Sequence, residues 1–174
     1  SDYKNHTIRK IVISSGVVTT LAGTAGSCGS TDGTGTSAKF CLPEGLVTDG
    51  INLYMTEGNH TIRKIVISTG VVTTLAGSAG NSGTTDGTGS AAKFNNPNAI
   101  TIDGTNLYTS DWGSHIIRKI VISTGVVTTL AGTAGSIGST DGTGTSAKFY
   151  KPIGITTDGT NLYLTEARNH TIRK

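Results

Sequence analysis

Charge is scarce in this chain. Asp, Glu, Lys and Arg together make up 14% of 174 residues, and the net charge is +3. Eight of the fourteen basic residues sit in repeated Ile-Arg-Lys words, from Arg9 to Lys174. Repetition spreads them around the molecule, so no single basic patch forms and nucleic acid is not an expected partner. The sequence lacks any run of 18 apolar residues, so no helical membrane span is expected. No signal peptide is visible; the sequence opens inside a repeat, so any leader would lie before Ser1. No Gly-Lys-Ser/Thr word closes a glycine-rich loop, which excludes a phosphate cradle.

What the chain has is repetition. Asn59 to Gly77, NHTIRKIVISTGVVTTLAG, recurs from Asn5 as NHTIRKIVISSGVVTTLAG and from Ser114 as SHIIRKIVISTGVVTTLAG. A fourth copy runs from Asn169 to Lys174. His6, His60, His115 and His170 are 54, 55 and 55 residues apart. A period of this size marks a propeller or solenoid. The units divide as a partial one at 1–43, repeats at 44–97 and 98–152, and a partial one at 153–174, all in one array. Abundant Gly, Thr, Ser, Ile, Val and Leu make the mixture β-rich.

In each unit an apolar strand (Thr7 to Ser14 in the first) turns at Ser15-Gly16, Thr69-Gly70 or Thr124-Gly125 and pairs back. The Ile-Val-Ile and Val-Val runs do not alternate cleanly, so both faces of these strands are expected to be covered. A long glycine-rich connection follows: Gly23 to Lys39, Gly77 to Lys93 and Gly132 to Lys148. Each carries one carboxylate, Asp32, Asp86 or Asp141, too few for calcium. These aspartates are expected to cap a local turn or pair with the nearby lysine. Phe40, Phe94 and Phe149 read as packing residues between units. Pro43, Pro97 and Pro152 open two more short strands, hinged at Asp-Gly and centred on Tyr54, Tyr108 and Tyr163. The tyrosine hydroxyls are expected at a polar edge.

The order Pro-x-Gly-(Ile/Leu)-x-x-Asp-Gly, Asn-Leu-Tyr-x-(Thr/Ser)-(Glu/Asp), Asn-His-x-Ile-Arg-Lys resembles the NHL repeat, named for an Asn-His-Leu motif. It departs at Asn98-Ala99 and at Ser114-His115-Ile116. The Leu-Ala-Gly and Thr-Asp-Gly-Thr-Gly words are similar to long NHL arrays of bacterial surface and secreted proteins. The resemblance implies an all-β fold: a β-propeller of four-stranded antiparallel blades, about three per chain. It implies little about function, since such modules bind proteins or RNA and related propellers include metal-dependent lyases and hydrolases.

All four histidines hold one repeat position beside the asparagine, which suggests a structural hydrogen-bonding role. Glu57, Asp111 and Glu166 likewise recur one per unit; a ring of carboxylates at a channel mouth, holding a cation, is one reading, and hydrogen-bonded pairing with the next strand is the simpler one. A catalytic site needs unlike groups at one point. The residues unique to one unit, Cys28, Cys41, Glu44, Met55, Trp112, Tyr150, Lys151 and Arg168, include no nucleophile–base pair. The expectation is therefore no enzyme, no catalytic residue, no cofactor and no metal ligand. The alternative is a metal-dependent propeller enzyme with its site on the central axis.

Cys28 and Cys41 occur in one unit only and frame its connection. A disulfide, worth roughly 3 kcal/mol in the chain-entropy model, is the economical reading; two buried thiols are the alternative. The Asn-x-Thr words at Asn5, Asn59 and Asn169 are candidate glycosylation sites. Asp2 to Lys10 repeats as Glu166 to Lys174. This overlap leads to three readings: a closed ring of two chains, a head-to-tail fibre, or a piece of a longer array. Strand sharing between copies is the expected outcome. The functional expectation is an extracellular or cell-surface scaffold for binding and assembly. Its partner is itself, another protein or a glycan.

Overall fold

The computed structural model describes residues 1–174 and is all-β. Its strands are β1 Ile8–Ile11, β2 Val18–Ala22, β3 Gly33–Thr34, β4 Pro43–Thr48, β5 Asn52–Glu57, β6 Thr61–Val66 and β7 Val71–Gly77. They continue as β8 Gly87–Thr88, β9 Pro97–Ile102, β10 Asn106–Asp111, β11 Ile116–Val121, β12 Val126–Ala131, β13 Pro152–Thr157, β14 Leu162–Glu166 and β15 Thr171–Arg173. Four antiparallel sheets follow the period: β1-β2, β3-β7-β6-β5-β4, β8-β12-β11-β10-β9 and β13-β14-β15.

Local chemistry sets the turns. Asp49 Oδ1 accepts from the backbone N–H groups of Ile51 and Asn52 at 2.8 and 2.6 Å, closing β4 onto β5. Gly50, at φ +89°, supplies the left-handed residue that this turn requires. Asp103 and Asp158 repeat the arrangement. The Tyr54 hydroxyl donates to Asp49 at 3.0 Å, and Tyr108 and Tyr163 do the same to Asp103 and Asp158.

The two complete sheets have five strands where four are expected. The extra strand is the Gly33–Thr34 or Gly87–Thr88 pair, drawn from the long connection. Gly33 pairs with Val72 and Gly87 with Val127, so the connection covers an outer edge that would otherwise leave backbone groups bare.

Apolar cores lie between successive sheets. Ile8 and Ala22 of the first sheet pack with Ala38, Phe40, Met55, Ile65 and Val72 of the second. All but one of these positions recur one unit on, where Ile62 and Ala76 meet Ala92, Phe94, Ile120 and Val127; Leu107 joins them, and the Met55 position is taken by Thr109. Thus each phenylalanine is buried between units.

The aspartates of the connections make long-range pairs, not local ones. Asp32 binds Arg63 at 2.8 Å and Asp86 binds Arg118 at 2.8 Å; Asp141 binds Arg173. The Arg63 and Arg118 side chains are fully buried over Phe40 and Phe94; their buried counter-charges are Glu57 and Asp111, and the half-exposed Asp32 and Asp86 meet them from the solvent side. The neighbouring lysines play no part in these pairs.

Candidate functional site

One end of the molecule is built where each long connection enters an inner strand and meets the loop before β6, β11 or β15. Leu42, Asn96 and Lys151, each just before a proline, have φ of +56°, +53° and +57°. A side chain in this left-handed region costs roughly 1 kcal/mol. Histidines hold these residues in place. His6 Nδ1 accepts from the Leu42 N–H at 3.2 Å, His60 from Asn96 at 3.1 Å and His115 from Lys151 at 3.2 Å. Each bond ties one unit to the next, 36 residues on. On the other side the Leu42, Asn96 and Lys151 carbonyls accept from Gly58, Trp112 and Ala167.

Burial shifts the titration of this end. Desolvation lowers the basicity of His60 and of His115, the latter helped by the Lys151 charge. Desolvation, then the Arg168 charge, depresses Lys151. Its ammonium stands 3.2 Å from the centre of the Trp112 ring. Glu44 is half-buried, and desolvation raises its pKa against the lowering effect of its bond from Asn98.

Glu57 lies beneath these loops, not at an open mouth. It is buried, accepts from the Cys41 N–H at 3.2 Å and pairs with Arg63 at 3.1 Å. Glu166 takes the corresponding bonds from Tyr150 and Arg173.

Cys28 and Cys41 are bonded, with Cα atoms 4.5 Å apart. The Asn5 amide donates to Asp2 and the Asn169 amide to Gly138 and Glu166, while Asn59 accepts from Thr61. Asn5 is exposed and the other two are partly covered.

Sequence reasoning found the histidine role and the inter-unit phenylalanines. It missed the left-handed residues before the prolines and the meeting of unlike residues at this end. Unit-by-unit alignment of the differences is the signal that would have shown it.

No family model matches the chain. NHL repeat-containing protein 2 of Gallus gallus is 37% identical over 75 residues, 43% of this chain and 10% of that protein. A structural genomics protein of unknown function from Bacteroides thetaiotaomicron superposes with a TM-score of 0.78 at 28% identity. That superposition covers 97% of this chain and 42% of the other. An auxiliary nutrient binding protein from the same organism gives a TM-score of 0.74 at 19% identity over 98% and 42% of the two chains. Virginiamycin B lyase from Staphylococcus aureus gives 0.56 at 18% identity over 99% and 64%. At such identities the last two show the fold alone. The chain spans a tenth of the curated relative and less than half of the two Bacteroides chains. Sequence likeness and superposition converge on an NHL-like repeat fold of the β-propeller type.

Proposed function

We propose that this chain is a non-catalytic scaffold for binding and assembly, built as about three propeller blades that join head-to-tail by strand sharing. The observation that carries the assembly is a difference in burial between identical residues. Ile65 of β6 is 0% exposed, whereas its counterpart Ile11 of β1 is 61% exposed. Val18 is likewise exposed where Val72 and Val127 are buried.

At the opposite end, Ile117, Ala147, Phe149 and Leu164 form a core cluster. The two complete clusters each add an isoleucine and a valine from the following hairpin: Ile65 with Val72, and Ile120 with Val127. This third cluster has neither, and a cleft of about 980 Å³ lined by Ile117, Leu130, Phe149 and Leu164 lies there. The β1–β2 hairpin of a second copy presents the matching pair, Ile11 and Val18. Such a contact is heterologous, so its rotation decides between ring and fibre.

The disulfide supports an extracellular or surface setting. Against catalysis, the His6, His60 and His115 Nδ1 atoms are engaged by backbone, and Glu57 and Glu166 are engaged by arginines.

Native mass spectrometry across a concentration series tests the assembly. Dimers or longer series are expected, and deleting Ser1 to Ala22 should abolish them. A chain that stays monomeric at high concentration, or a deleted chain that assembles equally well, sinks self-association.

A further inference from the structure

The units of this chain are most alike where they are most regular. Ile62–Gly77 and Ile117–Gly132 are identical, residue for residue. The largest chemical differences gather at the histidine-clasped end. Leu42, Asn96 and Lys151 share one position; Glu44, Asn98 and Ile153 share the next variable one. The loop before the histidine reads Tyr3-Lys4, Gly58 alone, Trp112-Gly113 or Ala167-Arg168. Directional recognition needs unlike groups at one place, and this end supplies them.

The shortened loop opens a cleft. Gly58 stands where the other units have two residues, and a Cβ on it would come within 3.1 Å of Leu42 and 3.6 Å of Glu44 Oε1. The cleft is about 670 Å³, with Leu42 and Pro43, the aromatics Tyr3 and Trp112, and the polar side chains of Glu44, Asn96 and Asn98. Leu42 and Asn96 keep side chains here at a backbone angle that glycine would adopt with less strain.

We infer that this cleft binds a neutral sugar unit of an oligosaccharide, an assignment that rests on the binding reading above. Aromatic rings suit the C–H faces of a sugar ring, and convergent amide and carboxylate groups suit its hydroxyls. The Asn98 amide already donates to Glu44, which fixes a donor–acceptor pair for adjacent hydroxyls. Charge selects against the alternatives. The Glu44 carboxylate of the lining opposes an anionic guest, and the Lys151 ammonium already occupies one face of the Trp112 ring, where a cationic guest would otherwise stack.

Trp112 is the only tryptophan, so its fluorescence reports on this cleft. The probes are cellohexaose, maltohexaose and xylohexaose, with spermine and heparin oligosaccharide as charged controls. At least one neutral probe should give a saturable change, confirmed by calorimetry. Asn98→Ala, read by fluorescence and calorimetry, and Trp112→Ala, read by calorimetry alone, should each weaken binding about tenfold or more, while Lys10→Ala on the exposed face of β1 leaves it unchanged. Circular dichroism checks that each variant folds, and Glu44→Gln serves as a third probe should Trp112→Ala unfold. Silence with all three neutral probes overturns the inference. So does binding of the charged controls alone, or sugar binding indifferent to Asn98→Ala. Binding of any probe elsewhere on the chain would sink the sugar cleft while sparing the scaffold reading.

Discussion

Asp111 stops 3.7 Å from the Arg118 guanidinium, and its Oδ2 is buried with no hydrogen-bond partner. In the sister units Glu57 and Glu166 are one methylene longer and reach Arg63 and Arg173 at 3.1 Å. Thr61 and Thr171 donate a further bond to those glutamates, where the third unit has Ile116. Burial pushes the Asp111 carboxyl up to about 7, outweighing the Asn95 N–H and the Arg118 charge.

A pH dependence follows. An unfolded aspartate titrates near about 3.9, so between that value and about 7 the folded chain holds a proton that the unfolded chain has released. The contribution of Asp111 is complete below the lower value and is lost as pH rises through the upper one. Glu57, also raised by burial, acts in the same direction. Asp111 and Glu57 therefore pull the thermal midpoint down from pH 4 to pH 7 (about those values), against the opposite pull of His60 and His115, whose lowered basicity favours the folded chain as pH rises towards the ordinary imidazole range. Asp111→Asn should flatten the slope. An unchanged slope in that variant counts against this account.

The pair Asp111→Glu with Ile116→Thr copies the arrangement of the last unit, where Thr171 donates to Glu166 across the same five-residue spacing. The double variant should be more stable than the parent by about 1 kcal/mol, with the Ile116→Thr single variant destabilised. Denaturant titration of all four chains measures the coupling; strict additivity would contradict it.

Arg63 joins Asp32, Glu57 and the Thr31 and Lys39 carbonyls from a fully buried position. Arg63→Ala leaves the buried Glu57 without its counter-charge. A loss of about 3–5 kcal/mol is expected by chemical denaturation. Lys10→Ala, on an exposed strand position, should cost less than about 0.5 kcal/mol in the same assay.

Cys28→Ser with Cys41→Ser should lower stability by about 2–3 kcal/mol and keep the fold. The second and third units fold equivalent connections with Ser82 and Asn95, or Ile137 and Tyr150, at the cysteine positions. Hydrogen exchange should quicken in the first connection alone. Quickening spread over all three would show that the bond does more than close its own loop.

What could be read from the sequence was the chemistry between near neighbours. Asp49, Gly50 and Asn52 are adjacent, so their turn is written in consecutive letters, as is the proline that opens each inner strand. The Asp32–Arg63 pair spans 31 residues and depends on where the long connection joins the edge of the sheet that holds β6 and β7. Every copy carries the same aspartate and arginine, so no difference between units singles out the pairing. The Gly33–Thr34 strand was hidden for a related reason: two residues with no apolar pattern pair only because β7 passes beside them. The cleft beside Gly58 follows from a one-residue deletion, visible only as the shift from 55 to 54 in the histidine spacing.

The sameness of Ile62–Gly77 and Ile117–Gly132 bears on how the chain is made. β6 would gain the same side-chain partners from β12 as from β7, so affinity does not tell the right neighbour from the wrong one. Loop closure does: at about 0.6 kcal/mol per doubling of the intervening chain, the short turn to β7 is favoured over the long path to β12 by roughly 2 kcal/mol. Order of emergence during synthesis adds to this, since the nearer hairpin is complete before the farther one exists. A chain refolded from denaturant has no such order and sorts its strands by trial, so more of it should end in swapped pairings than of a chain folded as it is synthesised.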